Sequence, residues 1–436
     1  MSPLEIAGIS VAALTAALVI GVPVAAAMGV VGLLGMWLTV GPAFTMAQLQ
    51  TLPFAVVGNY DFAVLPLFVL MGAMAEASGI TAQLFGALRT WLGRWRGGLY
   101  QAVVAASAMF AAISGSTIVN AVVFTRVALP EMLRHGYDRN LSIGCIAATG
   151  SFAAMIPPSI TIVIYAIMTE QSVGRLLIAG IVPGVLTALV YALGLHMLVR
   201  WRPALAPPIR ERPAPGERLR AARVLIPVLA LAVPLFVGLY AGLYPASAAG
   251  AVGAFAAFAL ALWRRGARGW LGRALGDSAA IACTLFAVLI GGLLLSRMLV
   301  ISGVIDELVT LVTDLAGSPA RFMVIACLFY LLLGCFLDTT SMMVVTLPFV
   351  YPVVQSLNID PIWFGVVLVK LIEISVITPP VGVNLFAVMS AAEGRVSFGQ
   401  VVRGVLPLIA LEGVVLSLLV AFPSLATWLP ERMLGQ

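Results

Sequence analysis

The chain has 436 residues, of which 62% are apolar and 10% charged, with a mean hydropathy of +1.10. Soluble domains carry about 25% charged residues, so a soluble globular fold is excluded. The net charge of +6 comes almost wholly from arginine, Lys370 being the only lysine. The arginines fall between apolar runs, where they read as topology signals, which argues against a nucleic-acid partner.

Apolar runs near the bilayer-spanning length of about 20 residues recur from end to end: Leu4–Val22, Ala63–Gly79, Leu177–Val199, Val224–Leu243 and Leu406–Ala426. The alternating pattern of a membrane β-barrel is missing, so the fold class is an all-α polytopic membrane protein. The start "MSPLEIAGIS" has no basic stretch ahead of its apolar run, so the first helix is expected to remain as a span. After the early spans come an amphipathic arm, "EASGITAQLFGALRTWLG" (76–93), and a helical hairpin over 99–132. The hairpin turns at Ser114–Thr117 in "AAISGSTIVN", a cluster of small polar residues inside an otherwise apolar segment. A span over 139–168 is broken at Pro157-Pro158, and Leu177–Val199 closes the first half. The segment 200–223, "RWRPALAPPIRERPAPGERLRAAR", reads as a linker rich in Pro and Arg.

The second half repeats the first. "VISGVIDELVTLVTDLAG" (300–317) is similar to the first arm, setting Ser78 against Ser302 at an offset of 224. Asp338-Thr339-Thr340 stands at that offset from Ser114-Gly115-Ser116, in a second hairpin over 320–355. Pro379-Pro380, breaking a span over 362–392, follows Pro157-Pro158 by 222 residues; Pro245 follows Pro23 by 222, and Pro407 follows Pro183 by 224. Five matches in order at a near-constant offset imply a duplication, with repeats at 1–199 and 224–436. Five crossings per half, with each hairpin counted as none, turn the second repeat upside down and give about ten spans plus two re-entrant hairpins. With both termini outside, eighteen of the 24 basic residues fall inside: Arg89, Arg94, Arg96, Arg134, Arg139, the linker arginines, Arg264, Arg265, Arg268, Arg273, Arg395 and Arg403. That distribution obeys the positive-inside rule. Cys145, Cys283, Cys327 and Cys335 lie in apolar runs without a CxxC and read as small apolar filler.

The polar clusters carry the chemistry. Proline removes an N–H and frees a carbonyl one turn back, and such backbone is tolerated at membrane depth only inside protein or along a watery cavity. Freed carbonyls and half-helix C-termini suit Na⁺, while half-helix N-termini attract anions. The two tips and two breaks are therefore expected to lie together around an ion and a substrate. Thr117, Asn120, Ser159, Thr339 and Asn384 beside them are candidates for substrate contact, and Arg126 is another, unless it snorkels or pairs with Glu131. Asp338, an intramembrane carboxylate, is functional by default, with a structural salt bridge as the plain alternative. Lys370 and Glu373, three apart on one helix face, are expected to pair with each other.

"SGSTIVNAVVFTRVALPEMLRHGYDR", "IPPSITIVIYA", "GCFLDTTSMMVVTLPFVYPVV" and "IDPIWFGVVLVKLIEISVITPPVGVNLFAV" together resemble the large, DctM-like M subunit of tripartite ATP-independent periplasmic (TRAP) transporters. The resemblance runs across nearly the whole chain; the departure is Ile118-Val119-Asn120, where the family often has small Ala or Thr. It implies an inverted-repeat, elevator-type carrier in the bacterial inner membrane, driven by a sodium gradient and needing no other cofactor. It also implies delivery of an organic acid by a periplasmic substrate-binding protein (P) and a separate small membrane subunit (Q). One implied sodium site uses Ser114, Ser116 and the backbone around Gly150 and Pro157; the other uses Asp338, Thr340 and the backbone around Thr378 and Gly382.

Rival functions leave weaker traces. GxxxxGK[ST] requires a lysine after glycine, but the single lysine follows Val369, which excludes a P-loop pump. His135 and His196 are the only histidines, neither in HExxH, so an intramembrane protease has no support. A stand-alone sodium–carboxylate symporter, needing no binding protein, is the nearest alternative. A channel is a third, less compatible with paired hairpins and broken helices.

Overall fold

A computed structural model describes residues 2–208, 214–266, 269–334, 337–380 and 382–434. Arg210, Arg212, Arg268 and Cys335 lie outside the described residues. Among the described residues every regular element is a helix.

The first half runs α1 (Pro3–Val19), α2 (Val24–Thr39), α3 (Pro42–Val57), α4 (Val64–Ala77) and α5 (Ile80–Leu92). A helix pair follows, α6 (Gly98–Ser114) and α7 (Thr117–Arg134), then α8 (Arg139–Gly150) and α9 (Ile160–Met168), separated by a short 3₁₀ turn (Ser151–Ala154) and the Pro157-Pro158 step. α10 (Val173–Ala179) and α11 (Ile181–Trp201) complete it. The second half runs α12 (Glu217–Tyr240), α13 (Ala246–Arg265), α14 (Leu271–Ile301), α15 (Val304–Ala316), the pair α16 (Pro319–Leu333) and α17 (Thr339–Ser356), the interrupted α18 (Pro361–Ser375) and α19 (Val383–Ala391), then α20 (Phe398–Ala421) and α21 (Ser424–Leu434). The apolar run Leu406–Ala426 is thus divided: α20 stops at Ala421, and α21 restarts at Ser424 behind Pro423, which has no N–H to continue the ladder.

Local chemistry sets the boundaries. Ser2 and Glu5 form a capping box on α1, and Asp138, Ser159 and Asp360 cap α8, α9 and α18 through their side-chain oxygens. Each cap satisfies a backbone N–H that the first turn leaves without an intrahelical partner. α5 and α15 are matched arms of 13 residues each.

Two packed groups result. α2 runs along α14, α4 along α13 and α14, and α12 along α5 and α13, forming a frame. In the second group, α8 packs on α7 and α20, α18 on α16 and α20, and α19 on α7 and α8. Lipid gives helices little hydrophobic reason to associate, so close backbone approach through small residues does the work. A Cβ on Gly32 of α2 would lie 2.7 Å from the α14 backbone, and one on Gly404 of α20 would lie 1.7 Å from the Asn140 carbonyl of α8. Any side chain there would push the helices apart.

Among the described residues, six helical stretches have the length and composition to cross a membrane: Tyr60–Ala77, Val173–Trp201, Glu217–Leu239, Ser247–Arg264, Leu271–Ile301 and Phe398–Ala421. The α15–α16 pair adds a seventh if counted as one span despite its 110° bend. The other expected crossings fall on shorter apolar helices, such as Glu5–Val19 and Val24–Thr39, or on helices interrupted by the proline breaks.

Candidate functional site

The first tip is built by three residues. α6 ends at Ser114; Gly115 reverses the chain at φ 61°, the left-handed region that disfavours any residue with a Cβ; and Ser116 caps α7 by accepting from the Val119 N–H at 3.5 Å. The tip lies directly against the first break: a Cβ on Gly115 would stand 2.8 Å from the Pro158 carbonyl oxygen. α4 closes the other side, since a Cβ on Gly72 would meet the Ser114 carbonyl at 2.6 Å. Gly150 lets α8 press on α7, where its Cβ would fall 2.6 Å from that of Ala121. Thus Ser114, Ser116 and Thr117 sit at the first tip, Pro157 and Ser159 at the adjoining break, and Gly150 one turn before it.

Ser159 is occupied twice, capping Ile162 and donating to the Ala154 carbonyl. Three buried polar atoms around this region have no hydrogen-bond partner among the described residues: Ser114 Oγ, Asn120 Oδ1 and Asn384 Oδ1. The amides of both asparagines are anchored, Asn120 donating to the Ser107 carbonyl at 3.3 Å and Asn384 to the Ala147 carbonyl at 3.5 Å. Anchoring the amide leaves the carbonyl end as an oriented acceptor, the group a hard cation or a substrate hydroxyl takes.

At the second tip Asp338 accepts from the N–H groups of Thr340 and Ser341 at 3.0 and 3.2 Å, capping α17. Neither Thr339 nor Thr340 is fully buried. The break behind it holds Thr378, whose hydroxyl bonds the Ile374 carbonyl at 2.7 Å, and Gly382 at φ 55°, whose added Cβ would approach the Thr378 carbonyl to 3.0 Å. The Asn384 N–H reaches back to the Val376 carbonyl at 3.0 Å and closes the loop. α16 is tied to this break through Ser375, which contacts the Tyr330 carbonyl at 3.2 Å. Both Pro-Pro bonds, 157–158 and 379–380, are cis.

Two sequence expectations change. Glu131 does not pair with Arg126: its Oε1 is held by Arg89 at 2.7 Å and by Arg134 and His135 at 3.0 Å. Those partners lie on the arm α5 and in the last turn of α7, whereas Arg126 projects from an exposed position within electrostatic reach of Glu76 of α4. Lys370 does contact Glu373, at 2.6 Å, but not as an isolated pair. Its ammonium also donates to Glu412 of α20 at 2.8 Å and to Thr187 of α11 at 2.9 Å. Tyr191 donates to the other Glu412 oxygen at 2.6 Å, and Ser151 lies 3.4 Å from Glu373 Oε1. Lys370, Glu373 and Glu412 are each 0% exposed. Sequence reading missed Glu412, Thr187, Tyr191 and Ser151. The available signal was a second carboxylate within an apolar run, in a chain with one lysine to answer it.

Paired tips and paired broken helices with buried, oriented oxygens among them, in a chain of apolar helices, define a multi-pass membrane protein. Residues 11–425 match the family described as "Tripartite ATP-independent periplasmic transporter, DctM component", and the chain belongs to that family. It is 32% identical to a C4-dicarboxylate TRAP transporter large permease protein of Pseudomonas aeruginosa, covering 86% of this chain and 87% of that one. It is 27% identical to a sialic acid TRAP transporter large permease protein of Vibrio cholerae, over 95% and 96% of the two chains. The fold is shared with the crystal structure of the Alcanivorax borkumensis YdaH transporter, at a TM-score of 0.59 and 17% identity over 89% of this chain and 90% of that one.

Proposed function

We infer that this chain carries an organic acid across the bacterial inner membrane, driven by a sodium gradient, as the M subunit of a three-part transporter. The substrate arrives on a periplasmic binding protein (P), and a small membrane subunit (Q) completes the complex in the bilayer. Both termini face the periplasm, residues 200–223 face the cytoplasm, and the two halves are inverted repeats. The observation that carries this reading is that a helix turn and a proline-broken helix recur in both halves, with the first tip on the first break and the end of α16 on α18 just ahead of the second. The contact of the first tip with the Pro158 carbonyl is its sharpest instance.

One sodium site then uses Ser114, Ser116 and the backbone of Gly150 and Pro157; the other uses Asp338, Thr340 and the backbone of Thr378 and Gly382. Thr117, Asn120, Ser159, Thr339 and Asn384 face the substrate between them, with Arg126 toward its acid group. The unpartnered carbonyl oxygens of Asn120 and Asn384 favour a ligand rich in hydroxyl donors or a cation. The second group of helices moves against the frame, carrying tips and breaks together in an elevator motion. Each sodium entering down a potential of 100 mV supplies roughly 2.3 kcal/mol, so a few ions drive accumulation without ATP.

The test is uptake in liposomes holding this chain, with and without the small subunit and the loaded binding protein, under an inward sodium gradient. Uptake requiring all three parts and sodium is the expected result. Robust uptake of free substrate by the chain alone would instead assign a stand-alone sodium–carboxylate symporter.

A further inference from the structure

The buried cluster of Lys370, Glu373 and Glu412 lies outside the tips and breaks, and its hydrogen bonds do not balance with both carboxylates ionised. Three formal charges, one positive and two negative, leave an excess negative charge in a wholly buried place. An uncompensated charge at membrane depth is strongly disfavoured. Among the described residues, the elements packed around the cluster place no second cation beside it. α9, α17 and the 3₁₀ turn contain no charged residue. Arg321 on α16, Arg403 on α20, and Glu431 and Arg432 on α21 are exposed. Arg175 opens α10, which follows the point where Tyr165 reaches Pro361, twelve residues and about 18 Å along α18 from Glu373. The ionisable groups acting on Glu373 are Lys370, Glu412 and, from α11, the Tyr191 hydroxyl, with the Cys145 thiol of α8 near Tyr191.

The contacts of the two carboxyls differ. Glu412 accepts at both oxygens, from Tyr191 at 2.6 Å and from Lys370 at 2.8 Å, and so is satisfied as an anion. Glu373 Oε2 lies 2.6 Å from the Lys370 ammonium as an ion-pair contact outside hydrogen-bond geometry, and among the described residues Oε1 has the Ser151 hydroxyl at 3.4 Å as its hydrogen-bonding neighbour. The Ser151 hydroxyl has one hydrogen for two acceptors, the Ala148 carbonyl at 2.7 Å and Glu373 Oε1 at 3.4 Å, and the shorter contact takes it. Two lone-pair oxygens therefore face one another unless Glu373 supplies the hydrogen, which Ser151 Oγ accepts.

We propose that Lys370, Glu373 and Glu412 form a one-proton site, with the proton held on Glu373 and directed at Ser151. The cluster is then neutral. The protonated acid is a positioning group: it ties α18, just ahead of the second break, to the 3₁₀ turn just ahead of the first. The site takes a proton and nothing larger, and it stands whether or not sodium is the transported cation.

The test uses the purified full chain in lipid nanodiscs at neutral pH. Infrared spectroscopy should show the deuterium-sensitive carbonyl stretch of a protonated carboxylic acid in the wild type, lost in Glu373→Gln. That variant is close in shape to the neutral acid, so its unfolding midpoint should match the wild type. Glu412→Gln should lose the band as well, because Glu373 then ionises opposite Lys370, and its unfolding midpoint should fall. Absence of the band in the wild type, its persistence in Glu373→Gln, or failure of Glu373→Gln to fold overturns the proposal. A Glu412→Gln variant as stable as the wild type would place the proton on Glu412 and overturns it equally.

Discussion

Replacing Gly115 by alanine perturbs the first tip at the point where it meets the broken helix. Two terms add. Alanine in the left-handed region costs about 1–2 kcal/mol, which applies at φ 61°. The new Cβ would also stand 2.8 Å from the Pro158 carbonyl oxygen, about 0.6 Å inside ordinary contact, so the tip must withdraw from the break or the break must open. A sodium site shared by tip and break loses ligand geometry either way. If the combined strain of roughly 1.5–3 kcal/mol falls on the ion-bound state, the sodium midpoint rises about ten- to a hundredfold. The assay is sodium-dependent thermal stabilisation of the purified chain, repeated with Gly303→Ala. Gly303 has φ +73° but its nearest neighbour is a Pro3 carbon at 3.7 Å, so that variant carries the backbone strain without the clash at the tip. It should lower the unfolding temperature and leave the sodium midpoint unchanged. A Gly115→Ala protein that folds and keeps its sodium midpoint within about twofold of the wild type would refute the shared site.

Three other outcomes are expected. Asp338→Ala should lose the α17 cap, about 1 kcal/mol of stability, together with sodium affinity; Asp338→Asn should keep most of the cap and lose only the affinity, and an unchanged sodium midpoint in Asp338→Asn would separate Asp338 from the ion. Lys370→Met should lower stability by about 3–5 kcal/mol, because a buried carboxylate is left without its counter-ion; a denaturation midpoint close to the wild type would contradict the cluster as described. A single cysteine at Ala214, in a chain whose own cysteines are replaced, should resist an impermeant thiol reagent in intact cells and react after lysis, whereas labelling from outside would reverse the proposed orientation.

The helical class and the positions of the helix turns and breaks were legible because composition and proline leave local marks. The 62% apolar content needs no tertiary information to interpret, and the Ser-Gly-Ser and Pro-Pro steps force breaks where the chain has little alternative. The end of α20 at Ala421 was less legible, since Phe422-Pro423 lies inside a run that reads as continuous and hydropathy does not register one missing N–H. Asp338 was legible as unusual, but its cap bonds to Thr340 and Ser341 depend on backbone geometry that residue type does not specify. The Glu131 partners were hidden for a different reason: Arg89 lies 42 positions away on the arm, while Arg126 was simply nearer in sequence. Glu412 is the same case at greater distance, joined to Lys370 only once α20 folds against α18.

The interior bonds also join the two halves of the chain one to one. Tyr191 donates to Glu412, Lys370 to Thr187, Asn384 to the Ala147 carbonyl, Tyr165 to the Pro361 carbonyl and Gln171 to Tyr351. Each of these places a donor from one half on an acceptor from the other, so part of each half's interior is closed by the other. Two separate half-chains would have to find each other by diffusion within the membrane, with an assembled fraction that rose and fell with expression. Continuity of the chain through residues 200–223 makes that encounter an intramolecular one, at an effective concentration set by the tether. The joined chain holds its interior at any copy number.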